Sequence, residues 1–246
     1  MTIDFIIPAY NEEQLLEKNI TKLFDFLNLQ NYNFDWKINI IINGSNDNSE
    51  KIAKKITNKN IGYEVIKEAG KGNAIITTMD KSSADFFVYM DIDLAVSLEN
   101  INDLVKELLL ENDFVIGSRL LAKSVRKRSL TKDIISKTYV LLSKIILGHN
   151  FSDLQCGFKA IKRSAFIKIR PFIEDNKWFF DTEFIIFAKL LDLKIKEIPV
   201  NWSENRYEKR KSKLKLLRNS LLFTNNLFKL KKRLNKIASE KKRTKR

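Results

Sequence analysis

The chain has 246 residues with 45 basic and 30 acidic side chains, and residues 205–246 hold 17 of the basic and 2 of the acidic ones, so the whole +15 sits in that tail and the body is neutral. A hydrophobic content of 44% with 30% charged excludes a disordered chain, and the single cysteine, Cys156, excludes an intramolecular disulfide and a thiolate zinc cage. No run reaches the roughly 18 apolar residues of a bilayer span, and Met1-Thr2-Ile3-Asp4 lacks a basic signal-peptide n-region, so a cytoplasmic protein is expected, or one held peripherally on the cytoplasmic face of a membrane.

In chain order, apolar runs alternate with helical patterns. Ile3 to Pro8 and Trp36 to Ile42 read as strands; between them Leu15, Leu16, Ile20, Leu23, Phe24 and Leu27 recur at helical spacing over Glu12 to Leu29. Further strands are expected at Tyr63 to Ile66, Phe86 to Met90, Phe114 to Gly117 and Ile195 to Val200, with helices at Asp47 to Thr57, Lys71 to Lys81 and Leu98 to Asn112. Strand alternating with helix implies an α/β fold, a mostly parallel sheet with helices on both faces. In such sheets ligands bind outside the carboxyl ends of the strands. Residues 1–204 are expected to form this domain and residues 205–246 a basic tail. Glycines are few, and Gly44, Gly70, Gly72, Gly117 and Gly157 follow strands or sit in polar loops, where positive φ or close approach would need them.

The strand ends carry the polar chemistry. The first runs into Pro8-Ala9-Tyr10-Asn11-Glu12-Glu13, where Tyr10 can stack on a base and its polar neighbours can bond a ribose; Asn11 as a helix N-cap is the plainer reading. The second ends in Asn43-Gly44-Ser45-Asn46-Asp47-Asn48-Ser49, able to hold a nucleobase and equally ordinary turn chemistry. Ala69-Gly70-Lys71-Gly72-Asn73 puts one cation at a helix start, where it can meet a phosphate. Phe86 to Met90 emerges into Asp91-Ile92-Asp93, whose carboxylates leave on one side while the chain stays extended. A divalent Mg²⁺ or Mn²⁺ that also grips phosphates would relieve their repulsion; two solvated turn acids are the alternative.

Together, Pro8-Ala9-Tyr10-Asn11-Glu12, Asn43-Gly44-Ser45-x-Asp47, Gly70-Lys71-Gly72-Asn73-Ala74 and Asp91-Ile92-Asp93 resemble, in order and spacing, the family 2 glycosyltransferases, inverting enzymes with a Rossmann-like GT-A fold. Gly117-Ser118-Arg119, the basic run Arg126-Lys127-Arg128, Asp153 to Lys159, and Trp178-Phe179-Phe180-Asp181-Thr182-Glu183 are similar to the polyprenyl-phosphate (dolichyl-phosphate) glucose and mannose synthases, the resemblance covering Ile3 to Trp202. It implies that Pro8, Tyr10, Glu12, Asn43, Gly44 and Lys71 contact the nucleotide of a UDP- or GDP-hexose, and that Asp91 and Asp93 hold Mg²⁺ or Mn²⁺ on its diphosphate. Arg119 and Arg128 would grip the phosphate of a polyprenyl acceptor, while Asp181 and Glu183 would line the donor sugar or support the metal. One departure stands out: where the family's second loop often reads Asp-Asp-Gly-Ser, this chain has Ile42-Asn43, which leaves the base open. A transferase acting on a cell-surface glycan or lipid-linked saccharide is the alternative within the family.

The chemistry suits these residues. Departure of a nucleoside diphosphate asks for charge neutralisation at Asp91 and Asp93. A phosphate acceptor brings its own negative charge and asks for positioning by arginine forks. Ile134 to Leu147 reads either as a core helix or as a membrane-surface helix. The tail places Leu214, Leu216, Leu217, Leu221, Phe223, Leu227, Leu230 and Leu234 among lysines and arginines as a basic amphipathic helix, suited to an anionic membrane surface at about 1 kcal/mol per basic residue. It lacks the aromatic–basic interleaving that stacks bases, so no nucleic-acid partner is expected. Ala238 to Arg246 is expected to be disordered, and His149 is expected to be a turn residue.

Overall fold

Strand and helix alternate through the first half as β1 (Thr2–Ala9), α1 (Leu16–Leu29), β2 (Asp35–Asn43), α2 (Ser49–Ile56), β3 (Ile61–Ile66), α3 (Lys71–Lys81), β4 (Phe86–Met90), α4 (Asn100–Leu109) and β5 (Phe114–Ser118). The second half adds β6 (Val125–Lys127), α5 (Leu130–Leu147), β7 (Phe158–Lys162), α6 (Arg163–Ile169), a 3₁₀ turn (Arg170–Phe172), α7 (Phe180–Leu190), β8 (Ile195–Pro199), β9 (Asn201–Ser203) and α8 (Leu216–Thr244). These come from a computed structural model that describes residues 1–127, 130–203 and 216–244.

The main sheet has the order β3-β2-β1-β4-β7-β5-β8. Every neighbouring pair is parallel except the two made by β7, which runs antiparallel to β4 and β5. Alternation along each strand feeds two cores. In β4, Val88 and Met90 face a core shared with α1, α2 and α4. Phe87 and Tyr89 face the other, shared with α3, α6 and α7. A second, two-stranded ribbon joins β6 to β9.

The expected α/β architecture is present, with β7 as the main-sheet strand that apolar-run reading passes over, along with the short β6 and β9. Its sequence, Phe158-Lys159-Ala160-Ile161-Lys162, alternates rather than running apolar, and Lys159 is wholly buried. Helix α1 begins at Leu16, because Glu12 to Leu15 form a turn and Asn11 has φ +53° instead of serving as N-cap.

One apolar stripe of the tail helix is covered by the body of the protein, not left open to lipid. Leu227 and Leu230 are buried in the α3–α6–α7 core, with Phe223, Leu234 and Ile237 packed beside them. Arg233 donates to Glu183 and to the carbonyl of Phe172. An apolar stripe at helical spacing is indifferent to whether lipid or protein covers it, and here the body supplies the cover. Residues from Ala238 onward, expected to be disordered, continue the helix to Thr244. Leu227→Ala and Leu230→Ala should each cost about 2–5 kcal/mol, seen as a lowered Tm, whereas Phe228→Ala, at an exposed position of the same helix, should shift it little.

His149, expected to be a turn residue, follows the end of α5 and is buried, stacked on Phe151 with its Nε2 2.9 Å from the Ser143 hydroxyl and its Nδ1 unpartnered. Burial, then the charges of Lys144 and Lys189, push its pKa down to about 4. The unfolded chain therefore takes up this proton first. Stability should be full above about pH 6.5 and fall as the pH drops toward 4. Denaturant titrations across that window should show a flatter pH slope in His149→Gln than in the parent.

Candidate active site

The last residues of β4 and the turn after it set the geometry. The strand stops at Met90, and the N–H of Leu94 donates to the Asp91 carbonyl (3.1 Å), with Leu94 at φ +48°. Asp91 and Asp93 thus sit in the turn that closes β4, not on the extended backbone that would by itself put both carboxylates on one side. Asp91 is partly exposed and its Oδ1 lies 2.9 Å from the Lys71 ammonium. Asp93 is buried, accepts from the Ala95 N–H (3.2 Å), and lines a cleft of about 680 Å³ with Lys18, Lys22, Lys127 and Trp202. The Gly157 carbonyl accepts from the Asp91 N–H (3.2 Å), and Gly157 lies so close that a Cβ there would collide with the Asp91 carboxylate.

Behind Asp91 lies a buried charge cluster centred on Asp181. Its Oδ1 accepts from the Tyr89 hydroxyl (2.9 Å) and the Lys159 ammonium, and its Oδ2 faces Lys71 (3.4 Å). Tyr89 and Lys159 are directly paired across β4 and β7, both pointing at α7. Lys159 also donates to the Cys156 carbonyl. Burial alone would raise the Asp181 pKa, but Lys159 and Lys71 more than offset it and hold the carboxyl below its ordinary range. Burial likewise works against the Lys71 ammonium, and Asp181 with Asp91 more than restores it, leaving its pKa above the ordinary value.

Lys71, expected to meet a phosphate at a helix start, is the first residue of α3 and here is paired with Asp91 and Asp181. The first N–H groups of α3 are also taken, Gly72 bonding Lys177 O and Asn73 bonding Asn176 O (both 2.9 Å). A Cβ on Gly72 would lie 2.9 Å from the Phe180 Cβ, so glycine lets α3 and the start of α7 close on each other. Asn43 is equally committed: its amide nitrogen donates to Ala9 O (3.0 Å) and its oxygen accepts from Gly70 N–H (3.1 Å). It staples three strand-end loops together instead of presenting a free edge to a base. Gly44 turns at φ +62° beside Ala69.

The first loop is held to the second by Ser45 accepting from the Asn11 N–H, Ser49 from Glu12 and Asp47 from Glu13. Pro8 is buried in β1 at a point where only β2 pairs with the strand, so its missing N–H disrupts no ladder to β4. Tyr10 is exposed at the sheet edge beside partly buried Glu12.

The acceptor-side residues separate. Arg119 makes a two-pronged pair with buried Asp153, Nε to Oδ2 at 2.7 Å and Nη2 to Oδ1 at 3.0 Å, so two of its three guanidinium nitrogens are spent inside the protein. Burial would raise Asp153, but Arg119 holds it below the usual carboxylate range. Arg126 is bound to Asp133 (2.9 Å) and to the Arg119 carbonyl. Lys127 is the exposed neighbour facing the cleft. Arg128 lies outside the described residues.

Glu183 is two residues from Asp181 on α7, and about 100° per residue sends it to the other side of the helix. There it accepts from the Glu174 and Asp175 N–H groups (2.9 and 2.8 Å) and from Arg233, away from Asp91. The burial of the Cys156 thiol pushes its pKa up to about 12, which removes it as a nucleophile. Tyr89 and Lys159 went unmarked in the sequence; the available signal was a lysine on the inward parity of a strand.

These features place the chain in a known class. The family model for glycosyl transferase family 2 matches residues 4–170. The chain belongs to that family, and its fold is GT-A. It is 29% identical over 204 residues to glycosyltransferase AglD of Haloferax volcanii, covering 81% of this chain and 33% of AglD. It is 28% identical over 224 residues to the dolichyl-phosphate β-glucosyltransferase of Saccharomyces cerevisiae, covering 82% and 67% of the two chains. Among solved structures, glucosyl-3-phosphoglycerate synthase from Mycobacterium tuberculosis in complex with UDP superposes with a TM-score of 0.65 at 20% identity, covering 92% of this chain and 80% of that one. The same enzyme with Mn²⁺, UDP and phosphoglyceric acid gives 0.63 at 18%, covering 92% and 75%.

Gly157→Ala should displace Asp91 while leaving the two cores untouched. The expected outcome is a normal far-UV spectrum with transferase activity lowered by about two orders of magnitude, the scale of a misplaced reacting group.

Proposed function

We propose that this protein transfers a hexose, with inversion, from a nucleotide-sugar to a polyprenyl or dolichyl phosphate at a membrane surface. The carrying observation is the partly exposed Asp91 carboxylate at the sheet's carboxyl edge, already drawing a cation to 2.9 Å. Family membership and relatives named for dolichyl-phosphate glucosylation support the acceptor and make glucose the first sugar to test. The neighbours solved with UDP, one of them also with Mn²⁺, support a uridine donor and a divalent ion.

The donor set fits such an ion. Asp91 and Asp93 offer hard oxygens, no cluster of three or more ligating side chains occurs among the described residues, and Mg²⁺ or Mn²⁺ commonly takes one or two carboxylates and completes its shell from water and phosphate. The Lys71 ammonium stands in for positive charge at the same carboxylate. When bound, the metal would neutralise the charge on the departing nucleoside diphosphate.

This chain's own residues do the rest. Tyr10, Glu12 and the latched loops at the ends of β1 and β2 bound the nucleotide's place. Asp181 stays ionised but its oxygens are committed to Tyr89, Lys159 and Lys71, so it orients Asp91's partner instead of acting as a base. An acceptor phosphate is already anionic and needs positioning, for which Lys127 is available on the lining of the cleft that holds Asp93.

The membrane side follows from surface chemistry. The outer face of α5 exposes Ile134, Leu141, Leu142 and Ile145, and α8 exposes Leu222 and Phe228 beside Lys229 and Lys232. No described helix is long and apolar enough to cross a bilayer. A surface of this kind suits partial insertion among anionic headgroups.

Purified protein given UDP-glucose or GDP-mannose, Mn²⁺ and a short polyprenyl phosphate should place hexose in the organic extract, and the unphosphorylated polyprenol should not be used. Asp93→Ala should lower transfer by about 10²-fold or more at unchanged Tm; full activity in that variant would sink the assignment. Vesicles containing phosphatidylserine should carry the protein upward in flotation, less so for Ile145→Asp, and a DNA fragment should show no mobility shift.

A further inference from the structure

We propose that Lys71 is a tethered counter-cation for Asp91, which keeps the site closed to a free divalent ion and releases Asp91 only when the ion arrives with the donor's diphosphate. The proposal rests on the transferase reading above and adds an order of assembly to it.

Three observations carry it. First, the Lys71 ammonium is buried and bridges two carboxylates, 2.9 Å from Asp91 Oδ1 and 3.4 Å from Asp181 Oδ2. Second, the two carboxylates are not equivalent. Asp181 is pinned by Tyr89 and Lys159, whereas Asp91 is partly exposed and paired with Lys71 alone among the ion pairs of the described residues. A lysine that lets go of Asp91 still has Asp181 to hold it. Third, the backbone beneath Lys71 is rigid, with Gly70 bonded to Asn43 and Gly72 and Asn73 bonded to the 176–177 carbonyls. Only the side chain can move, with the Trp178 ring centroid 5.5 Å from its nitrogen.

The charges then dictate the order. Lys71 and Lys159 balance Asp91 and Asp181, so the cluster is neutral as it stands. A divalent ion entering alone must displace or oppose an ammonium a few ångströms away, and like charges at that range repel strongly in a partly dry site. A nucleoside diphosphate brings enough negative charge for both cations to remain. Lys71 can then keep Asp181 and donate a hydrogen bond to a diphosphate oxygen, a charge-assisted contact, while both Asp91 oxygens become available.

The test reads ion binding apart from catalysis. For the parent protein, Mn²⁺ followed by its electron paramagnetic resonance signal should bind weakly alone and about tenfold or more tightly with UDP, and by linkage UDP should tighten equally with Mn²⁺. Lys71→Met should bind Mn²⁺ alone about tenfold more tightly than the parent and Mn²⁺ with UDP less tightly. A merely structural lysine would instead weaken both together. Lys71→Gln, which keeps a polar group near Asp181, gives the same comparison if the methionine variant does not fold. Ion-alone affinity in these variants no tighter than in the parent overturns the tether. Should neither UDP nor GDP bind with Mn²⁺ to the parent, the transferase reading fails, and the proposal with it.

Discussion

An ionised carboxylate sealed inside a protein must be met on every side, and Asp181 is the point on which this structure turns. It is almost wholly buried, and it is answered by a hydroxyl and an ammonium from neighbouring strands and by a second ammonium from the start of α3. Removing one partner from such a cluster leaves charge uncompensated and costs about 3–5 kcal/mol. The arrangement therefore constrains β4, β7, α3 and α7 to one mutual placement. Because Lys71 also reaches Asp91, the constraint extends to the exposed edge where a donor would be held.

The antiparallel β7 makes this possible. Inserted between β4 and β5, it puts Lys159 opposite Tyr89 and both beneath α7. A neighbouring polar assembly is built the same way. Asp153, just ahead of β7, receives Arg119 from the end of β5, and Gly157 leaves room for the Asp91 carboxylate. Several charged groups that a motif reading assigns to substrates are thus used to hold the loops that substrates would meet. That division suits a site in which both substrates are anionic: the protein's fixed charges are balanced internally, and placement is left to a few exposed groups such as Asp91 and Lys127.

The C-terminal helix extends the same theme. Its leucines complete a core, while Arg233 reaches Glu183 and the Phe172 carbonyl from outside. Glu183 in turn supports the turn at Glu174 and Asp175, whose side chain accepts from the N–H groups of Phe179 and Phe180 at the start of α7. The helix that carries Asp181 is therefore braced from both sides, and the exposed apolar residues of α5 and α8 lie on the outer surface of the same assembly.

The alternation of strands and helices, the polar strand ends and the order of the motifs are local properties, and the sequence by itself determined the α/β architecture, the family resemblance and the importance of the end of β4. Period-two and period-3.6 patterns encode which side of an element is buried, but not what buries it. Only the tertiary structure decided that Leu227 and Leu230 face protein, that Lys71 answers two carboxylates and that Arg119 belongs to Asp153. It also set Glu183 on the far side of α7 and put Asp91 and Asp93 in a turn instead of on extended strand. The reason is common to all of these: a charged or apolar side chain is specified by its partner, and partners up to 110 residues apart, as Lys71 and Asp181 are, meet only when the sheet is assembled.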